Sequence, residues 1–378
     1  MAFVAVIRLW LAQRFELSRG GAAANLMPME GLRGLAVFMV FMVHYATLVA
    51  PWLTPGSWPE YLLAACHAAG NAGVDLFFVL SGYLIYGHLI GSRIPFVRYL
   101  GRRVRRIYPA FLVVFVVYLL LAWLRPAEGK LPRETLTAAV YVLQNVLLLP
   151  GLWPIEPLIT VAWSLSYEVF YYLLMPLIVT VLGLRTKSPF FRVRLFGLLA
   201  VLLLACFALM GGPVRLLLFI AGVLLFELMR LCRAPGNLSG WGGLALVVVV
   251  MLLPMPGPVR QALRVLLLGI GFYLLCFAAL AQPHQAIGRV FCCSPLRWLG
   301  NMSYSYYLMH GLALKALFML VAKLLPVGAH GVASLWFIAP AFLFSLLPSA
   351  LLYLWVERPY SVASSPMRTR TATAAPAG

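Results

Sequence analysis

The chain has 378 residues, 63% of them hydrophobic and only 10% charged, where a soluble domain carries roughly 45–50% and 25%. That leaves too little polar surface to cover such a core in water, and the same figures exclude a disordered chain. A net charge of +19 would point to nucleic acid in a soluble protein. Here the 29 Lys and Arg flank apolar spans, so they read as the cytoplasmic loops of a multi-pass protein in a lipid bilayer, and no nucleic-acid partner is expected.

Residues 1–26 carry Arg8, Arg14 and Arg19 within apolar sequence. Arg8 interrupts the run and no basic stretch precedes it, so a cytoplasmic amphipathic segment is expected rather than a cleaved leader. A crossing helix needs roughly 20 mostly apolar residues. Ten stretches qualify, at about 32–50, 72–91, 107–124, 161–184, 195–210, 213–229, 240–255, 263–281, 302–322 and 333–356. An eleventh, Thr135–Pro150, is short and holds Gln144 and Asn145.

The basic residues decide whether this eleventh stretch crosses. If it does not, and both termini are cytoplasmic, 21 of the 29 Lys and Arg lie inside and 8 outside. If it does, every later loop flips and the split becomes 15 to 14. The bias of basic residues toward the cytoplasm selects the first arrangement. The expected fold is therefore an all-α polytopic membrane protein, with about ten transmembrane helices and one re-entrant or interfacial segment. The membrane domain covers 27–360, and 361–378 is expected to be a disordered cytoplasmic tail.

Ionisable residues inside a bilayer are costly, which makes each a functional candidate. The first span runs from Arg33 to His44, eleven positions or about 16 Å further, close to half-way across. The second opens Gly73-Val74-Asp75-Leu76-Phe77-Phe78 and continues to Ser81-Gly82, with the chain's only Asp near the outer end. Ser81 and Gly82 suit close helix packing. In the arginine run that follows, Arg103 and Arg106 share one helical face and could grip a phosphate with forked hydrogen bonds. Basic bias alone could also produce that run.

Trp163-Ser164-Leu165 leads to Glu168, about 10 Å below the outer surface. The run Ser303-Tyr304-Ser305-Tyr306-Tyr307-Leu308-Met309-His310 brings a second His near the midplane, with Lys315 beyond it. Glu357-Arg358-Pro359 closes the last span. The six Cys show no CxxC pattern and the six His fall on separate elements, with no HExxH. Neither a disulfide framework nor a metal is expected.

Taken in order, these motifs resemble the acyltransferase-3 family of bacterial membrane O-acyltransferases, over about residues 30–360. Two departures stand out: Val169 follows Glu168 where the family often has a second acid, and Met309 stands where Trp is common. The resemblance implies a donor of acyl-CoA, acetyl-CoA above all, bound on the cytoplasmic side. The acceptor it implies is a hydroxyl of a surface or lipid-linked glycan such as lipopolysaccharide, in the bacterial inner membrane. Arg103, Arg106 and Arg33 would hold donor phosphates, and Arg33 could instead steady an oxyanion. His44 would act as general base or as acyl carrier.

Asp75 or Glu168 could fix the tautomer of His44, while Ser81, Trp163, Ser164, Tyr304 and His310 would support the site. No soluble domain is expected after the last span, so transfer is expected to be direct or to pass to a periplasmic transferase or glycan-assembly partner. A transporter or flippase is the alternative reading, since it too would place His, Asp and Glu at mid-depth. No internal repeat supports it.

Overall fold

The computed structural model describes residues 2–16, 27–125, 129–325, 328 and 331–361. The tail expected to be disordered lies outside the described residues from 362 onward, as do 17–26 with Arg19. Among the described residues, eight helices are long and apolar enough to cross a membrane. The chain is a multi-pass membrane protein.

The N-terminal helix α1 (Ala2–Phe15) leaves Val6, Leu9 and Trp10 exposed. Its end docks on the bundle, where Phe15 stacks on Tyr353 and its carbonyl accepts from Asn301 Nδ2 at 2.9 Å. The helix α2 (Met27–Val49) follows, then the short α3 (Trp58–Gly70) and α4 (Ala72–Gly91), which form one long apolar stretch.

The helix α5 (Phe96–Leu124) is longer than expected. Its 29 residues measure about 43 Å, well beyond the roughly 30 Å hydrocarbon core. The arginine run is therefore the first turns of a helix, and the connection shrinks to residues 92–95. Exposed Arg98, Arg102 and Arg105 alternate with half-buried Arg103 and Arg106, because positions 99, 103 and 106 share one face.

The helix α6 (Thr135–Val146) has 12 residues, about 18 Å, and is too short to cross. Asn145 Oδ1 accepts from the Leu158 backbone N–H at 2.7 Å, tying α6 to the segment that leads into α7 (Ala162–Val181).

The bundle continues with α8 (Pro189–Met210), α9 (Leu217–Leu231), α10 (Asn237–Leu252) and α11 (Pro258–Ala281). Two of the ten expected crossings, α9 and α10, have only 15 and 16 residues, about 23 Å of helix. The shortest holds buried Glu227, which accepts from Arg192 Nε at 2.6 Å, Arg192 Nη2 at 3.0 Å and Tyr86 OH at 2.6 Å. A buried carboxylate so fully paired ties α4, α8 and α9 together without leaving an orphan charge.

The chain ends in α12 (Ala286–Phe291), α13 (Ser294–Asn301), α14 (Ser303–Leu324), α15 (Ala333–Trp336), α16 (Ile338–Leu352), a π turn at Tyr353–Glu357 and α17 (Arg358–Ser361).

Glycine governs two close crossings. Added Cβ atoms at Gly82 or Gly222 would meet the Phe219 or Val79 carbonyl at 2.1 and 2.0 Å, so α4 and α9 touch backbone to backbone. At Gly300 an added Cβ would sit 1.7 Å from the Glu30 carbonyl, and at Gly34 2.0 Å from that of Leu296. The Gly31–Gly34 motif thus seats α13 on α2, beside the buried Arg297–Glu30 pair at 3.0 Å. Gly300→Ala is expected to cost about 1–3 kcal/mol or more, because the opposing atoms are backbone. Gly197→Ala, with nothing within 4 Å, should be neutral or stabilising. Thermal unfolding in detergent compares the two, and equal midpoints would refute the packing account.

Candidate active site

Three helices, α2, α5 and α14, each contribute side chains to two cavities that lie one beyond the other along their axes. The first, about 440 Å³, is at the end bearing the arginine run. It is lined by Arg33, Ser81, Arg103, Arg106, Ser164, Glu168 and Tyr304, among others. The second, about 570 Å³, is at the opposite end and includes His44.

In the first cavity, Arg33 donates from Nε and Nη2 to Ser303 Oγ at 3.2 and 2.9 Å. Ser164, Glu168 and Tyr172 repeat every four residues on α7 and so form one stripe into it. Glu168 Oε1 accepts from Tyr172 OH at 2.5 Å and from Ser81 Oγ at 3.4 Å. The Arg103 guanidinium lies over the Tyr99 and Tyr172 rings at 5.3 and 5.0 Å, which fixes its plane. Tyr304 OH donates to the Ile107 carbonyl at 2.8 Å.

A further carboxylate adjoins this group. Glu357, carried by the π turn, accepts from Ser305 N and Oγ at 3.0 and 2.6 Å and interacts electrostatically with Arg106 and Arg33. Three cationic guanidinium groups with forked donors, partly screened by two carboxylates, suit this cavity to an anionic group.

The linings of the two cavities meet at Tyr307. Tyr307 OH lies 2.7 Å from Ser164 Oγ and donates to the Val161 carbonyl at 3.1 Å. Tyr307 and Ser164 line the first cavity, and Val161 lines the second. Beside Tyr307 stands His310, fully buried and lining neither, with ring centroids 6.1 Å apart. His44 is next, its ring 4.9 Å from that of His310.

His310 Nδ1 is 2.9 Å from the Tyr306 carbonyl, so it carries the proton there. Its Nε2 then presents a lone pair, with no hydrogen-bond partner among the described residues.

Asp75 and Trp163 stand apart from both cavities. Asp75 is buried and accepts from Arg215 Nε at 2.7 Å, while the Arg215 guanidinium lies over Trp163 at 5.1 Å. The orienting role expected of Asp75 or Glu168 toward His44 is not what the structure shows. Arg215 takes Asp75, Tyr172 and Ser81 take Glu168, and the ring beside His44 is His310. The reading of the sequence singled out neither Tyr172 nor Arg215 and gave Ser303, Tyr307 and Glu357 no role of their own. For Tyr172 the signal was present, since it stands four residues from Glu168.

The sequence profile of the acyltransferase-3 family, described as an acyltransferase domain, matches residues 29–354. The O-acetyltransferase OatA of Staphylococcus aureus is 27% identical over 75% of this chain and 49% of its own length. The peptidoglycan O-acetyltransferase OatA of Listeria monocytogenes is 24% identical, over 74% and 48%. The putative peptidoglycan O-acetyltransferase YrhL of Bacillus subtilis is 26% identical, over 88% and 54%. The chain spans about half the length of these curated relatives. No solved structure matches it.

Proposed function

The chain belongs to the acyltransferase-3 family, and on that premise we propose that it moves an acetyl group from acyl-CoA to a hydroxyl of an envelope glycan. The names of the relatives support acetyl as the group and peptidoglycan as the first acceptor to assay. The arginine end would face the cytoplasm of a bacterial cell, in keeping with the distribution of basic residues.

One observation carries the reading: a cavity lined by Arg33, Arg103 and Arg106 and a cavity lined by His44 meet where Tyr307 OH donates to the Val161 carbonyl at 3.1 Å. Arg33, Arg103 and Arg106 would hold the phosphates of the donor, with its thioester arm directed toward Ser164 and Tyr307. The acceptor would enter the second cavity beside His44. His44 lines the acceptor cavity and not the donor cavity, which favours a general base over a covalent acyl carrier. Its imidazole takes the hydroxyl proton as the acceptor oxygen bonds to the acyl carbon. The carbon–sulfur bond breaks, and the departing thiolate recovers the proton to leave as free CoA. Transfer requires the Tyr307–Ser164 wall to yield, and a closed wall keeps the donor from water.

The test uses the purified chain in nanodiscs with acetyl-CoA and peptidoglycan oligomers. Glycan-dependent appearance of the free thiol of CoA, matched by a base-labile acetyl ester on the glycan, is expected. Thioester consumption with no ester on any envelope glycan would overturn the acceptor, and no consumption by folded protein would overturn the activity.

A further inference from the structure

We infer that the end of the first cavity farthest from the arginine run is an acyl-length gauge, in which Phe77 and Phe78 admit an acetyl group and refuse longer chains. This deepens the acyl-transfer reading above and rests on it. The helix α4 lines that cavity along its length: Val74, Phe77, Ser81, Leu84 and His88 recur every three or four residues on one face. From Val74 to His88 is about 21 Å of helix, and the lining changes character over that distance. His88 stands at the arginine end, its ring 6.5 Å from that of Tyr99, over which the Arg103 guanidinium lies. Ser81 marks the middle, where its hydroxyl donates to Glu168 at 3.4 Å. At the Val74 end, Phe77, Phe78 and Leu165 join the Ser164 and Tyr307 hydroxyls in the lining. There the Phe77 and Tyr307 rings meet in a T-shaped contact at 6.1 Å. A thioester carbonyl held at those hydroxyls would leave its acyl tail against apolar and aromatic side chains.

The two phenylalanines differ in how firmly they are held. Phe78 stacks on Phe219 at 4.7 Å, and Phe219 stacks in turn on Tyr171 at 4.1 Å. Tyr167 at 5.8 Å and Trp163 at 6.2 Å complete the rings around Phe78. The Arg215 guanidinium over Trp163 is itself fixed, donating to Asp75 Oδ1 at 2.7 Å and to the Asn71 carbonyl at 3.1 Å. Asp75 and Trp163, which line neither cavity, thereby gain a purpose as positioning residues: the ion pair holds the aromatic backstop of Phe78 in place. Phe77 is half-buried, and Tyr307 is its one ring contact among the described residues. Phe78 is thus a wall packed like a protein interior, which does not yield to extra methylenes. The bulk of Phe77 sets how much space is left in front of it.

The test offers acetyl-, propionyl- and butyryl-CoA to the purified chain in nanodiscs. Transfer to peptidoglycan oligomers and binding without acceptor are both measured, with free CoA as the ligand that has no acyl group. One methylene in an apolar pocket is worth about 10–200-fold, so the native protein should prefer acetyl to butyryl by about 100-fold or more in kcat/KM. Phe77→Ala should bring that preference below about tenfold, and Val74→Ala, a smaller excision on the same face, should lower it by about threefold. Arg215→Lys keeps a cation for Asp75 but not the flat guanidinium over Trp163, and should also lower the preference, by about threefold to tenfold. All three variants should bind free CoA with native affinity, which separates a widened pocket from a misfolded protein.

Equal use of acetyl- and butyryl-CoA by the native protein would overturn the inference and leave the activity standing. So would an unchanged preference in Phe77→Ala and Val74→Ala with only the thermal midpoint lowered, the outcome of core packing alone. An acetyl preference in binding with no transfer to glycan would support the gauge and remove the proposed activity instead. No binding of any CoA thioester by folded protein would remove both.

Discussion

His44→Ala is expected to reduce acetyl transfer by about 10³-fold or more while leaving the amount of folded protein unchanged. A positioned general base contributes roughly 10²–10⁴, and no other described imidazole lines the second cavity. His310 does not substitute, because it is sealed in the wall with its Nδ1 committed to the Tyr306 carbonyl. Its ring lies 4.9 Å from His44, which gives it a positioning role. His310→Ala should therefore lower the rate less, about tenfold to a hundredfold, with a measurable loss of thermal stability from the cavity left behind. The readout is the rate of acetyl ester formation on glycan oligomers at saturating acetyl-CoA, alongside thermal midpoints in detergent. A His44→Ala protein that acetylates within threefold of the native rate would remove His44 from the chemistry. A His310→Ala protein as inactive as His44→Ala, with an unchanged midpoint, would mean that the two imidazoles share the proton.

The helices were legible because hydrophobic runs and basic loops are local signals. The charge count rejected a crossing at 135–150, and α6 with its 12 residues is too short to make one. Boundaries were less legible: hydropathy places the start of the third span at 107, whereas the helix begins at Phe96, since arginines are good helix formers that only leave the bilayer. The face shared by Arg103 and Arg106 could be read from their spacing, and both line one cavity. What could not be read is who meets whom across the chain. Asp75 and Arg215 are 140 positions apart, and Arg33 and Ser303 are 270 apart. The separation of His44 from Glu168 into two cavities follows from helix packing, which no single span reveals. Likewise the tightness required at Gly34 is set by α13, a short helix of weak apolar character lying far along the chain.

Replacing Arg103 and Arg106 together with Lys is expected to raise the acyl-CoA concentration needed for half-maximal rate by roughly 10- to 100-fold, with acceptor affinity unchanged. Charge is conserved, so the distribution of basic residues and the orientation of the chain should survive. What is lost is geometry. A guanidinium presents two parallel donors to a phosphate and can lie flat on an aromatic ring, and Arg103 is sandwiched near Tyr99 and Tyr172 at 5.3 and 5.0 Å. An ammonium on a flexible stem offers neither the fork nor the stack. Charge-assisted hydrogen bonds are worth about 1.5–3 kcal/mol each, so weakening two of them accounts for the expected range. Arg102→Lys/Arg105→Lys provides the matched control. Those two side chains are on the exposed side of the same turns and line neither of the two cavities. Had the run served only to orient the chain, both double variants would behave as the native protein, and a double Gln change at either pair would disturb topology equally. Sealed vesicles of known orientation complete the test: acetyl-CoA should be consumed only from the side bearing residues 92–106, and the acetyl ester should form on glycan at the other. Consumption from the opposite side, or an unchanged donor requirement in Arg103→Lys/Arg106→Lys, would remove the first cavity from donor binding and leave its three arginines without a substrate.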